Sequence, residues 1–171
     1  MTFTKLGVRD GDLKVYNDLT DTEMREKIEA VARMADARPD CAWVSVVILS
    51  HGRQKLGEDE IMGVNGEGLK KTDILNAFSA VKCKNLQNKP KLFWFQACRN
   101  KESEAAAVTN VVKSNAKIAS DNPVPTVDKK PALMDYMVGS ATVAGASSYR
   151  STEAGSFFIQ NLCEVLNKYA E

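Results

Sequence analysis

Lys91-Leu92-Phe93-Trp94-Phe95-Gln96-Ala97-Cys98-Arg99 decides how this chain is read. Four of the five residues in Leu92–Gln96 are bulky and apolar or aromatic; Lys89-Pro90-Lys91 precedes them and a polar run follows. That pattern predicts a strand buried on both faces, as in the middle of a parallel sheet. Such a strand carries Cys98 to its C-terminal end, where open α/β sheets place their ligands. A buried structural thiol would fit the same position, since free cysteine is among the most buried residue types. Gln96 and Arg99 weigh against it, being polar where a purely structural strand end needs neither.

A thiol is only a few per cent ionised at neutral pH and needs an imidazole or a cation beside it to act as a nucleophile. The chain holds a single histidine, His51, in Ser50-His51-Gly52, straight after the apolar run Trp43-Val44-Ser45-Val46-Val47-Ile48-Leu49. His51 therefore also falls at the C-terminal end of a predicted buried strand. Two parallel neighbours ending at one edge would set imidazole and thiol on the same rim. A lone histidine is otherwise a surface or hydrogen-bonded core residue. Here the strand-end placement, with Gly52 permitting close backbone approach, favours function.

Gln96-Ala97-Cys98-Arg99 resembles the active-site signature of the caspases, with Ser50-His51-Gly52 about 50 residues upstream as in that family. The resemblance extends over nearly the whole chain. Asn17-Asp18-Leu19-Thr20, Lys89-Pro90-Lys91-Leu92-Phe93, and Gly155-Ser156-Phe157-Phe158-Ile159-Gln160 with Leu162-Cys163 all resemble effector-type caspases. The family signature closes on Gly where this chain has Asn100, the residue next most tolerant of left-handed backbone. The implied fold is α/β in class: a caspase-like three-layer α/β/α domain around a mostly parallel central sheet. The resemblance further implies that the first and last elements are missing. The chain would open near the end of the family's first helix, without the first strand and the second pocket arginine. It would stop before the last helix, the specificity loop and the dimer-forming strand.

A length of 171 residues suits one domain with a real core. Hydrophobic content of 44% and charged content of 26% are ordinary for a soluble globular protein. The formal net charge of +1 argues against a nucleic-acid footprint or a polybasic membrane anchor, so neither is an expected partner. No apolar run approaches a membrane span of ~18 residues, and Met1-Thr2-Phe3-Thr4-Lys5 has no hydrophobic signal segment. Four cysteines (Cys41, Cys83, Cys98 and Cys163) could pair, but a chain of this size does not need disulfides. Cys41 and Cys163 sit where core residues would, and all four read as reduced thiols in a cytoplasmic setting. There is no Gly-rich phosphate loop and no His/Cys cluster at metal-ligand spacing, so neither a cofactor nor a metal is expected.

Along the chain, Leu13-Lys14-Val15-Tyr16 is a short alternating strand candidate. Thr20 followed by Glu23 predicts a capping box opening a helix. Met24, Ile28, Val31 and Ala35 recur on that helix as a core stripe, and Pro39 closes it. A strand over Ala42–Leu49 and a polar loop through His51 and Gly57 follow. Ile61 to Leu69 predicts a hairpin around Asn65-Gly66. Thr72 can cap a helix carrying Ile74, Leu75 and Phe78. After the central strand, Leu133–Ser140 returns as a strand, Ala141–Glu153 as a loop and Gly155–Tyr169 as a helix. Phe158, Leu162, Val165, Leu166 and Tyr169 share one face of that last helix.

Residues 100–132 differ in kind: rich in Ala, Ser, Asn, Lys and Val, with Pro123, Pro125 and Pro131 and no sustained periodicity. A loop that long inside a domain is functional or disordered as a rule. In caspases the matching region is the linker between large and small subunits, cut after aspartate as the zymogen matures. The resemblance thus divides one domain into a large-subunit-like part, 1–99, with the His/Cys dyad; an intersubunit linker, 100–132; and an incomplete small-subunit-like part, 133–171. Asp121 and Asp128 are the aspartates inside the linker.

The resemblance also distributes roles. Cys98 is the nucleophile and His51 its base, returning a proton to the leaving amine. The backbone N–H groups of Gly52 and Cys98 face the oxyanion, where one donor is worth about 10²–10³ in rate. Gln96 corresponds to the pocket glutamine, and Ser148 and Arg150, in Ser148-Tyr149-Arg150, to substrate-binding residues. Guanidinium suits bidentate carboxylate recognition. Caspases of this type carry Tyr where Ser147 stands and Trp where Tyr149 stands, which alters the pocket for the residue before the aspartate. No third triad member is visible.

Two readings follow. One is a cysteine endopeptidase cutting protein substrates after aspartate in cell-death proteolysis, a homodimer when complete. The other is a catalytically weak or inactive homologue that regulates caspases by binding them. A generic α/β thiol hydrolase is weaker than either, because the aspartate-pocket residues recur at their family positions.

Overall fold

Phe93 and Phe95 alternate with Trp94 and Gln96 along one strand, and every one of the four is buried. The computed structural model describes residues 2–99, 133–143, 146–148, 150–151 and 155–169. In order these form α1 (Thr2–Lys5), α2 (Asp21–Asp36), β1 (Val44–Leu49), β2 (Gly52–Lys55), β3 (Glu58–Met62), β4 (Gly68–Lys70), α3 (Lys71–Asn76), β5 (Lys91–Gln96), β6 (Tyr136–Ser140), β7 (Arg150–Ser151), β8 (Gly155–Ser156) and α4 (Phe157–Lys168). β5 is the middle strand of a parallel sheet ordered β1-β5-β6. Val44 pairs with Lys91 and Leu49 with Gln96, so β1 and β5 end level with each other.

The two faces of β5 meet different layers. Phe93, Phe95 and Ala97 join Met24, Ile28 and Ala32 of α2 and Ile61, Leu69, Ile74, Phe78 and Leu86 in the main core. Phe93 stacks on Tyr136 at 5.3 Å between centroids and meets Phe78 edge-on at 5.4 Å. Each such buried side chain contributes about 1.5–3 kcal/mol by burial. On the other face Trp94 lies over Gly139, where a Cβ would overlap the indole and sit 3.4 Å from Phe158 of α4. Helices thus cover both faces of a parallel sheet, an α/β/α arrangement.

Helix α2 starts as its sequence predicts. Thr20 accepts from Glu23 N at 3.3 Å, and the Glu23 carboxylate accepts from Thr20 N at 2.9 Å, a reciprocal capping box. β3 and β4 form the hairpin around Asn65-Gly66, with Gly66 at φ 79°. All four cysteines are free; Cys83 is buried, and burial is the main reason its thiol pKa is raised. Among the described residues no helix is long and apolar enough to cross a membrane.

Several expectations are corrected. Leu13–Tyr16 forms no strand: no ladder pairs with it, Val15 is 72% exposed, and Tyr16 instead lies under Lys27 Nζ, 5.4 Å from the ring centroid. The polar stretch after His51 is a second strand, β2, hairpinned to β3 through Leu56 and Gly57, both at positive φ. Cross-strand pairing holds it: Arg53 Nε lies 2.7 Å from Glu60 Oε2, and Gln54 Nε2 donates to Asp59 Oδ1 at 3.4 Å. Thr72 caps nothing, because α3 continues directly from β4 with Lys70 as its first flanking residue. Helix α4 runs Phe157–Lys168 rather than Gly155–Tyr169; Val165 on it and Tyr169 just past its end are exposed. Cys41 and Cys163 are half-buried, short of the full burial expected of core residues.

Candidate active site

The strand ends place His51. The parallel ladder runs one bond past β1, Ser50 N donating to Gln96 O at 3.1 Å. The chain then turns into the hairpin: Ser50 Oγ donates to Met62 O at 2.6 Å, and Met62 N to His51 O at 2.9 Å. His51 is held by its backbone at the junction of the two sheets, with an exposed side chain.

Cys98 lies two residues beyond the end of β5, in a turn fixed from both sides. Thr142 Oγ1 donates to Ala97 O at 3.2 Å, and Arg99 N donates to Ala146 O at 2.9 Å. Gly52 runs directly beside this turn. A Cβ there would overlap the Cys98 carbonyl oxygen and stand 2.9 Å from Ala97 Cβ and 3.1 Å from Glu60 O. Only glycine lets the backbone after His51 approach the backbone of Cys98 so closely.

The half-buried Cys98 thiol makes its contacts with Ser148. Ser148 N donates to Sγ at 3.4 Å, the two side chains are 3.6 Å apart, and the thiol faces Ser148 O at 3.9 Å. Among the described residues no hydrogen bond joins the thiol to His51. Catalytic hydrogen bonds are often long before substrate is bound.

Gln96 is 5% exposed, and its Oε1 accepts from Ser156 Oγ at 2.6 Å. Ser156 pairs in register with Arg150 across the short β7–β8 ladder. The backbone of Arg150 is therefore anchored to the residue that hydrogen-bonds Gln96. Asn100, Tyr149, Asp121 and Asp128 lie outside the described residues. Among the described residues no group of three or more His, Cys, Asp or Glu side chains could hold a metal ion.

The model of the caspase domain matches residues 1–171. The chain belongs to the caspase family. It is 33% identical to caspase-7 of Gallus gallus, over 99% of this chain and 51% of that protein. It is 34% identical to caspase-3 of Bos taurus (93% of this chain, 52% of that protein) and 32% identical to caspase-10 of Homo sapiens (90% and 28%). The chain thus spans about half, or less, of the length of these curated relatives.

Within this caspase domain, sequence reasoning missed three participants: Asp59, Thr142 and Ser156. Ser156 carried a usable signal, a serine just before an apolar helical run, the pattern of an N-cap. It does cap α4, accepting from Ile159 N at 3.1 Å. Asp59 and Thr142 carry none, since each acts on residues some 40 positions away.

Proposed function

We propose that this chain is the core of a cysteine endopeptidase that cleaves protein substrates after aspartate in cell-death proteolysis. The observation that carries the reading is the shared strand edge: β1 and β5 end in register, one leading to His51 and the other to Cys98, with Gly52 against the Cys98 backbone. His51 takes the thiol proton, the thiolate attacks the carbonyl carbon, and imidazolium returns the proton to the departing amine. Water, activated by the same imidazole, then hydrolyses the thioester and frees the thiol. The backbone N–H groups of Gly52 and Cys98 are assigned to the oxyanion. Gln96, Ser148 and Arg150 are assigned to the substrate carboxylate and main chain. Residues 100–132 are assigned as the linker between large-subunit-like 1–99 and small-subunit-like 133–171, cut after Asp121 or Asp128, and the complete protein as a cytoplasmic homodimer.

The second reading, a weak homologue that acts by binding other caspases, draws on the thiol's engagement by Ser148 rather than by His51. An Asp-directed, cysteine-reactive probe separates them. Under the first reading the probe labels Cys98, and labelling is lost in Cys98→Ala and falls by orders of magnitude in His51→Ala. Labelling that ignores His51, or that lands on Cys163, would discard the protease.

A further inference from the structure

Neither residue assigned as the dyad lies within a strand: both follow neighbouring strands of one sheet, but the chain after His51 passes into the second sheet. Cys98 follows β5, whereas His51 opens the β2–β3 hairpin. Ser50 N to Gln96 O is the last ladder bond between their strands. Beyond it the spacing of imidazole and thiol depends on how the hairpin is fastened to the Cys98 turn.

Asp59 supplies such a fastening. Arg99, the residue after Cys98, forms an ion pair with Asp59 of β3, its Nε 2.7 Å from Oδ2 but off the line of a hydrogen bond. The two side chains are only 25% and 13% exposed, so water and salt screen the pair weakly. Gln54 of β2 holds the other oxygen, donating to Oδ1 at 3.4 Å. A second cation, Lys71 Nζ, lies 4.0 Å from Asp59 and donates to Ser140 Oγ at 2.7 Å, at the end of β6. The Arg99 guanidinium also donates to Thr142 O at 3.4 Å, and Thr142 in turn holds Ala97 O. One carboxylate on the His51 hairpin therefore sits between two cations that both reach the segment clamping the Cys98 turn.

We propose that Asp59 is a positioning residue: acting through Arg99, it locks the Cys98 turn to the hairpin that begins at His51 and so sets the approach of thiol and imidazole. This rests on the assignment of Cys98 and His51 as a dyad.

The test uses the 171-residue chain and four variants: Asp59→Asn, Asp59→Glu, Arg99→Gln and the double variant D59N/R99Q. Two quantities are read. One is the rate of iodoacetamide alkylation at Cys98 across pH, followed by peptide mass with Cys163 as internal reference. The other is turnover of an Asp-terminated peptide, resolved into kcat and KM. A misplacement near 1 Å can cost about 10²-fold. D59N should therefore slow Cys98 alkylation and lower kcat by about tenfold or more, with KM and the Cys163 rate little changed. D59E should recover most of the loss, and D59N/R99Q should be no worse than the poorer single variant. A folded D59N with Cys98 alkylated within twofold of the parent overturns the proposal. So do equal changes at Cys98 and Cys163, or single-variant effects that add. If D59N does not fold, Arg99→Gln against Arg99→Lys decides the same point. His51→Ala tests the dyad separately. A parent whose Cys98 labelling is unchanged in His51→Ala sinks the protease reading, and where the parent shows no turnover the alkylation rates decide the brace alone.

Discussion

Ser156 Oγ donates to the buried Oε1 of Gln96 at 2.6 Å while accepting from Ile159 N at 3.1 Å. One hydroxyl thus caps α4 and holds the side chain two residues before Cys98. Ser156→Ala leaves a buried acceptor unpaired and a helix start uncapped, which together cost about 2–4 kcal/mol. Urea unfolding should show that loss, and turnover of an Asp-terminated peptide should fall with it because Gln96 is freed. Unchanged stability would mean that Gln96 finds another donor.

Gly52→Ala tests the close approach between the backbones of His51 and Cys98. The added methyl meets the Cys98 carbonyl oxygen, the Ala97 Cβ and the Glu60 carbonyl, and backbone cannot swing aside as a long side chain can. Overpacking of this kind costs about 1–3 kcal/mol. The variant should unfold at lower urea and react more slowly at Cys98 than the parent. Parent-like values for both would show that the hairpin slides freely over the turn.

Acid should loosen α2. Hydrogen bonds from the Thr20 amide, then from its hydroxyl, hold the Glu23 carboxyl below its usual range. A carboxyl whose folded pKa is depressed adds stability above its unfolded pKa, and that stability is lost as pH falls through the folded value. Between about pH 6 and pH 3, Glu23→Gln should therefore lose less stability than the parent does. Urea midpoints at several pH values measure this. Parallel curves for the two proteins would remove Glu23 from the acid response.

Linker cleavage should fall after Asp128, in Pro125-Thr126-Val127-Asp128, in preference to Asp121, where Pro123 stiffens the chain two residues on. Exposed polar segments are where nicking concentrates. Incubation with an active effector caspase, followed by fragment sequencing, reads this directly. Cuts confined to basic residues would count against the assignment.

Sequence alone determined what depends on short-range pattern. β5 is legible because a dense apolar run can be stable only with both faces covered. The Thr20 box is legible because cap and acceptor are three residues apart. Ser50-His51-Gly52 and Gln96-Ala97-Cys98-Arg99 are legible as motifs, each at the end of an apolar strand. Tertiary structure alone decided what depends on meetings between distant residues. β2 is polar and becomes a strand through Arg53–Glu60 and Gln54–Asp59, while the better alternation of Leu13–Tyr16 finds no partner strand. Lys91 reads as a polar flank, yet its side chain is 2% exposed, its Nζ donating to Lys89 O and Met134 O. Burial is also what chiefly lowers its pKa. Gln96 and Arg99 were legible as polar, but their partners Ser156 and Asp59 were not. A hydrogen bond or ion pair forms only where the fold brings its two groups within about 3–4 Å. Local pattern along the chain does not carry those meetings.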